Sequence, residues 1–202
     1  MNYLGIDTGG KQLTVLLKFN GKDYSYVDPD CGVNHSVELV PRVKQLLESA
    51  GARLKDMDFF ACVVGAGSFT GIRIGVSTAR AFAFAVKKPY LRITSFDTLA
   101  YDVKDNGALL CVIDARHDAY YVQQYSGGKP AAEAKFVNRA EYEALCKGAA
   151  VASADDVPYR KYLCDTAEGF RAAIEAKQSE ATFDESALTP LYIRKSQAEE
   201  GR

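Results

Sequence analysis

The stretch Gly65-Ala66-Gly67-Ser68-Phe69-Thr70-Gly71 has the composition of a loop that handles an anion. Glycines let backbone N–H groups close on a phosphate, and a helix beginning at the loop's end adds its positive dipole end. The familiar motifs do not fit. A Walker loop needs Gly-Lys-Ser/Thr, and the stretch has no lysine; a dinucleotide loop needs G-x-G-x-x-G, and Gly71 arrives one residue late. A nucleophile elbow around Ser68 needs glycine where Ala66 and Thr70 stand. Two readings stay open: an anion or partner loop built on Gly67, Ser68 and Thr70, or a tight turn in which Ser68 or Thr70 caps the next helix.

Two aspartates, Asp7 and Asp114, each follow an isoleucine at the end of an apolar run. Aspartates so placed could hold hydrated Mg²⁺ in a phosphoryl-transfer cleft. Asp7-Thr8-Gly9-Gly10-Lys11 has phosphate-loop composition, whereas Asp114-Ala115-Arg116-His117-Asp118 has no glycine to let backbone approach a phosphate. One intact and one degraded loop point to an ancestral nucleotide cleft that has been lost. The two histidines, His35 and His117, are too few and too separated for a zinc site, and Leu39 stands where an H-x-x-x-H helix would place its second ligand. Cys31, Cys62, Cys111, Cys146 and Cys164 are scattered with no C-x-x-C pair, and Cys62 and Cys111 sit in apolar runs. They read as reduced core thiols of a cytoplasmic protein. No metal site and no catalytic residue is assigned.

The elements that position these residues follow from pattern and composition. A chain of 202 residues with 48% hydrophobic and 25% charged residues is globular and long enough to bury a core without staples. Its formal net charge of −1 argues against a stand-alone nucleic-acid binder. No apolar run approaches the roughly 20 residues of a membrane span, and the opening residues carry no leader pattern. Short apolar runs at 3–7, 13–19 and 22–27, with Asn20-Gly21 as a hairpin turn, predict an antiparallel meander. A helix follows from an Asn34 cap to Gly51, with Pro41 inside it. Then come a strand over 58–64, a helix over 71–86 and a strand over 89–94.

The second half restarts in the same way. Strands are expected at 108–113, 119–125 and 134–138, then a helix at 139–147, a strand at 149–153 and a helix at 166–177. The matching Ile-Asp dipeptides suggest duplication. The expected class is therefore α/β, with duplicated β-β-β-α-β-α lobes of the actin/hexokinase/Hsp70 (ASKHA, ribonuclease H-like) type. The lobes are expected at 1–103 and 104–202, with 187–202 as a tail that packs back on the first. On the helix over 71–86, Ile72, Val76, Ala79, Ala83 and Val86 form one apolar face, and Ile74, Thr78, Ala81 and Ala85 a second. Arg73, Ser77, Arg80 and Phe84 form a ridge between them, and which face turns inward is undecided.

Ile6-Asp7-Thr8, Asn34-His35-Ser36, Gly67-Ser68-Phe69-Thr70-Gly71-Ile72-Arg73-Ile74-Gly75, Ser95-Phe96-Asp97-Thr98-Leu99, Ile113-Asp114-Ala115-Arg116 and Pro190-Leu191-Tyr192-Ile193-Arg194-Lys195 occur in this order. With them the chain resembles the TsaB (YeaZ) family, the dimerisation subunit of bacterial tRNA threonylcarbamoyladenosine synthesis. The resemblance implies a non-catalytic subunit that binds a TsaD-type transferase through the helices at about 34–50 and 71–86. It implies a TsaE-type ATPase as a further partner, tRNA met only through the complex, self-association when alone, and no membrane. The expected interface comprises His35, Leu39, Arg42, Gly71, Ile72, Arg73, Val76, Ser77, Ala79, Arg80 and Ala83; Ala81→Glu or Ala83→Glu is expected to break it without unfolding the chain. Asp7, Thr8, Gly9, Gly67, Ser68 and Thr70 remain a candidate nucleotide or anion loop. No cofactor is expected to bind tightly to this chain alone, and nucleotide at the complex interface stays open. The alternatives are an ATP-dependent kinase or ATPase of the same fold and, behind it, a glycoprotease-like peptidase.

Overall fold

The computed structural model describes residues 1–104 and 107–194, in two compact units. The first comprises Met1–Ile93 and Ile174–Pro190. Its elements are β1 (Tyr3–Asp7), β2 (Leu13–Phe19), β3 (Lys22–Asp28), α1 (His35–Ala50), β4 (Phe59–Val63), α2 (Phe69–Val86) and β5 (Tyr90–Ile93). The β2–β3 turn uses Asn20 and Gly21, both at positive φ, which matches the right-handed twist of the flanking strands. The sheet order is β3-β2-β1-β4-β5, antiparallel across β1–β2–β3 and parallel across β1–β4–β5. All of β4 and Tyr3–Ile6 of β1 are buried, as befits central strands covered on both faces. Both helices lie against this sheet, α1 on β2 and β3, α2 on β4 and β1, and they touch each other.

Asn34 precedes α1 without making the expected side-chain cap, while Gly51, at φ 63°, ends the helix as expected. Helix α2 starts two residues before the expected Gly71 because Ser68, in extended geometry, caps it by accepting from the Gly71 N–H at 3.2 Å.

The second unit comprises residues 94–173 and, of the described chain, 191–194. It holds α3 (Ser95–Asp102), β6 (Leu109–Asp114), β7 (Ala119–Ser126), β8 (Lys129–Pro130), β9 (Lys135–Asn138), α4 (Arg139–Leu145), β10 (Ala150–Ser153) and β11 (Arg160–Leu163); α5 (Thr166–Lys177) follows. Its sheet runs β11-β10-β6-β7-β8, with β9 also on β7. The centre repeats the first sheet: β6 takes the place of β1, β7 of β2 and β10 of β4. The duplicated α/β architecture is therefore present. The copy is incomplete, since residues 154–159 join β10 to β11 without a counterpart of α2.

Two boundaries differ from the sequence reading. The units divide at 93/94 rather than 103/104, because α3, unassigned from sequence, packs on β6, β7 and β10. Residues 174–190 belong to the first unit, where Thr182 pairs with Tyr90 through both backbone groups and Leu188 is fully buried. Lys195 and the remainder of the expected tail lie outside the described residues. Among the described residues no helix is long and apolar enough to cross a membrane.

A buried polar clamp holds α3 in place. Asp97 accepts from the Thr94 N–H at 2.8 Å while its own N–H donates to Thr94 Oγ1 at 3.0 Å, a reciprocal cap. The other Asp97 oxygen accepts from Tyr125 Oη on β7 at 2.8 Å. Burial, reinforced by the Asp97 charge, pushes the Tyr125 phenol well above its usual range, so it stays a donor. Tyr125→Phe leaves that carboxylate oxygen unpartnered by the ring and should cost about 2 kcal/mol, read as a lower urea midpoint with an unchanged slope.

Candidate functional site

Helix α2 begins against the β1–β2 loop, and the fit leaves no room for side chains. A Cβ on Gly71 would lie 2.0 Å from the Thr8 carbonyl oxygen, and one on Gly75 would lie 2.4 Å from Thr8 Oγ1. Thr8, fully buried, donates from Oγ1 to the Gly71 carbonyl at 2.7 Å. The Ser68 N–H donates to the Gly9 carbonyl at 2.6 Å, and the Gly9 N–H donates to Asp7 Oδ1 at 2.8 Å. Three groups that a phosphate loop could turn toward an anion, the Thr8 hydroxyl and the Gly9 and Ser68 N–H groups, are thus engaged inside the unit. Of the candidate anion loop of Asp7, Thr8, Gly9, Gly67, Ser68 and Thr70, Thr8, Gly9 and Ser68 latch the hairpin to the helix, Ser68 also as its cap, and Thr70 is exposed. The sequence signal for a latch was the spacing Gly71-x-x-x-Gly75, which places two glycines on one helix face.

Asp7 is the one strongly perturbed carboxylate here. Burial, partly offset by the Gly9 N–H and by His35, pushes its carboxyl up to about 6. Asp114, its counterpart in the second unit, is exposed; its N–H donates to Asp155 Oδ2 at 2.9 Å, and its Oδ1 accepts from Arg116 N at 2.7 Å. Among the described residues no group of three or more His, Cys, Asp and Glu side chains could hold a metal ion. The cysteines are free: Cys31, Cys62, Cys111 and Cys164 are buried and Cys146 is half-buried. Burial raises the Cys62 and Cys111 thiols far above the reactive range.

The two helices decide the inward and outward faces. Ile72, Val76, Ala79 and Ala83, with Gly71, face the unit's own core. They were expected at an interface, and that expectation is corrected: the glycines that close on Thr8 share their arc and turn it inward. On α1, His35 and Leu39 are likewise buried. His35 Nε2 lies 3.2 Å from the Gln12 carbonyl, which makes it the proton-bearing nitrogen. Arg42 is half-buried, paired with Glu38 at 2.8 Å and stacked over Tyr26. Arg80 donates to the Glu185 carbonyl of its own unit at 2.6 Å. Arg73, stacked over Phe69, and Ser77 are the two expected residues fully outward.

What faces outward instead is the stripe of Arg73, Ser77, Ala81, Phe84 and Ala85, flanked by half-buried Ile74 and Thr78. Phe84 is 74% exposed, and α1 adds Val37 at 67% and Val40 at 50%, beside exposed Pro41. Helix α2 thereby presents a surface rich in small and apolar groups, while on α1 the exposed apolar residues are followed by the exposed Lys44–Glu48 ion pair. Such surfaces mark contact sites rather than solvent-facing ones.

The family model described as TsaD, tRNA N6-adenosine threonylcarbamoyltransferase, matches residues 29–157. The chain is 32% identical over 128 residues to the tRNA threonylcarbamoyladenosine biosynthesis protein TsaB of Escherichia coli (strain K12), covering 62% of this chain and 55% of that protein. It is 30% identical over 131 residues to the TsaB protein of Bacillus subtilis (strain 168), covering 63% and 57%. The chain spans little more than half the length of these relatives. A solved Pseudomonas aeruginosa protein, described as similar to peptidase YEAZ, superimposes with TM-score 0.79 at 24% identity, covering 96% of this chain and 99% of that one. YeaZ from Pseudomonas aeruginosa gives 0.74 at 22% identity over 95% and 99%. These structures share the fold.

The Asp7 carboxyl yields a pH test. Its proton is held more tightly in the folded chain than in the unfolded one, so its contribution to stability is lost as pH rises from about 4 to about 6. A rise from 3.8 to about 6 corresponds to about 3 kcal/mol; the water reaching this half-buried group reduces it to about 2. Asp7→Asn should therefore be more stable than wild type by about 2 kcal/mol at pH 7.5, with the difference vanishing near pH 4. Urea unfolding at the two pH values checks this.

Proposed function

The chain belongs to the TsaB (YeaZ) family, and on that premise we propose that it serves tRNA threonylcarbamoyladenosine biosynthesis as a subunit that docks a TsaD-type transferase. In this reading the chain contributes no reacting group. The transferase carries the chemistry on the tRNA adenosine, and this chain meets tRNA only through the complex. A TsaE-type ATPase joins the pair, and the docking face allows the chain to self-associate when alone.

The observation that carries the reading is the outward face of α1 and α2. Ala81, Ala85 and Ser77 let a second helix come close, while Phe84, Val37 and Val40 supply apolar area that water would otherwise cover. Arg73 and Arg42, held by ring stacking, stand where they can set register with a partner's acidic groups. The engaged Thr8 hydroxyl and Gly9 and Ser68 N–H groups support the same reading from the other side, since none of the three is free for a nucleotide phosphate. A kinase or ATPase would need those donors turned outward.

Residue exposure now separates the two charge substitutions. Ala81 is exposed and Ala83 fully buried, so Ala83→Glu would drive a carboxylate into the core and unfold the chain. Ala81→Glu should leave circular dichroism and melting unchanged. It should weaken binding of the transferase subunit by about 2–4 kcal/mol, on the order of a hundredfold. Size-exclusion with light scattering, on the chain alone and mixed with the TsaD-type subunit, should show a mixed complex for wild type and none for Ala81→Glu at micromolar concentration. Equal complex formation by both proteins refutes the docking face. Tight Mg-ATP binding with turnover by the chain alone refutes the non-catalytic role.

A further inference from the structure

The β1–β2 loop meets the beginnings of both outward-facing helices. Toward α2 it gives the Thr8 hydroxyl to the Gly71 carbonyl and the Gly9 carbonyl to the Ser68 N–H. Toward α1 it gives the Lys11 carbonyl to the Gly32 N–H at 3.2 Å, three residues before the helix, and the Gln12 carbonyl to His35 Nε2. The loop has little freedom of its own. Asp7 pairs with Thr14 at the end of the β1–β2 ladder, Gln12 Nε2 donates to Thr14 Oγ1 at 2.8 Å, and Asp7 Oδ1 holds the Gly9 N–H.

We propose that residues 8–12 fix α1 and α2 relative to each other, and that Thr8 and His35 are positioning residues of the docking face. The proposal rests on the reading that these helices dock a partner. Two helices offer one surface only while the angle between them is held. Three of the four bonds are made by loop carbonyls, so no long side chain gives the joint slack. The fourth comes from Thr8, a short β-branched side chain with few rotamers, whose hydroxyl and carbonyl both lie against the α2 backbone. His35 is buried at the first position of α1, so its ring cannot leave the loop without opening the helix start. A disturbance on one side of the loop should therefore be felt at the other helix.

Amide hydrogen exchange on the isolated full chain tests this without a partner. Thr8→Val keeps the side-chain shape and removes the donor to Gly71. Exchange should accelerate at least fivefold at residues 69–75 and also at 36–40, where Thr8 makes no hydrogen bond, and Thr8→Ser should restore both. His35→Leu should produce the reciprocal spread, from 36–40 to 69–75, and decides the matter if Thr8→Val does not fold. Acceleration confined to the helix whose bond was removed overturns the proposal. In binding, Thr8→Val should lose at least tenfold in affinity for the TsaD-type subunit, with Thr8→Ser close to wild type. Full affinity of folded Thr8→Val, alongside a binding wild type, also overturns it. A wild type that does not bind refutes the docking reading, and the exchange pattern still decides this one.

Discussion

The Thr8 backbone and hydroxyl lie so close to the first two turns of α2 that only hydrogen atoms fit at Gly71 and Gly75. This contact sets the rest of the unit. It chooses which arc of α2 faces the sheet, and so buries Ile72, Val76, Ala79 and Ala83 and leaves Ser77, Ala81, Phe84 and Ala85 outside. Beside it the Gly9 and Ser68 N–H groups are taken up by Asp7 and by the Gly9 carbonyl.

A fold of this kind can serve chemistry through its loops or association through its helices. In the first unit the Thr8 hydroxyl and the Gly9 N–H are committed to a carbonyl and a carboxylate of the same unit, while α2 turns Ala81, Phe84 and Ala85 outward. The second unit repeats the central strands but has no counterpart of α2 between β10 and β11. The duplicated plan therefore carries the helix of the α2 position in one copy only. The second unit's own core, built around Tyr120, Tyr142 and Val137, rests on ordinary packing.

Much of this was legible in the residues. Alternating apolar runs with Asn20-Gly21 between them specified the first meander, and Gly51 specified the end of α1, because these signals act through the local backbone. The family likeness rested on short motifs, of which Ile6-Asp7-Thr8 and Gly67 to Gly75 meet within the first unit. The helix faces were less legible, since two nearly uncharged arcs of α2 look alike until tertiary contact chooses one. The glycine pair held that information, but its meaning depended on Thr8, more than sixty residues away. Helix α3 escaped notice because it is short and is held by Asp97 reaching Tyr125, a contact across 28 residues. Strand β11 escaped because its connection from β10 is shorter than parallel strands usually need.

The central claim is that the outer arcs of α1 and α2, rather than the β1–β2 loop, meet the partner. Mapping amide protection of the chain with and without the TsaD-type subunit tests it most directly. The account predicts new protection within residues 36–45 and 73–85, with the loop at 8–12 unchanged. Protection appearing at the loop or only in the second unit, with both helices as exchangeable as before, would contradict it.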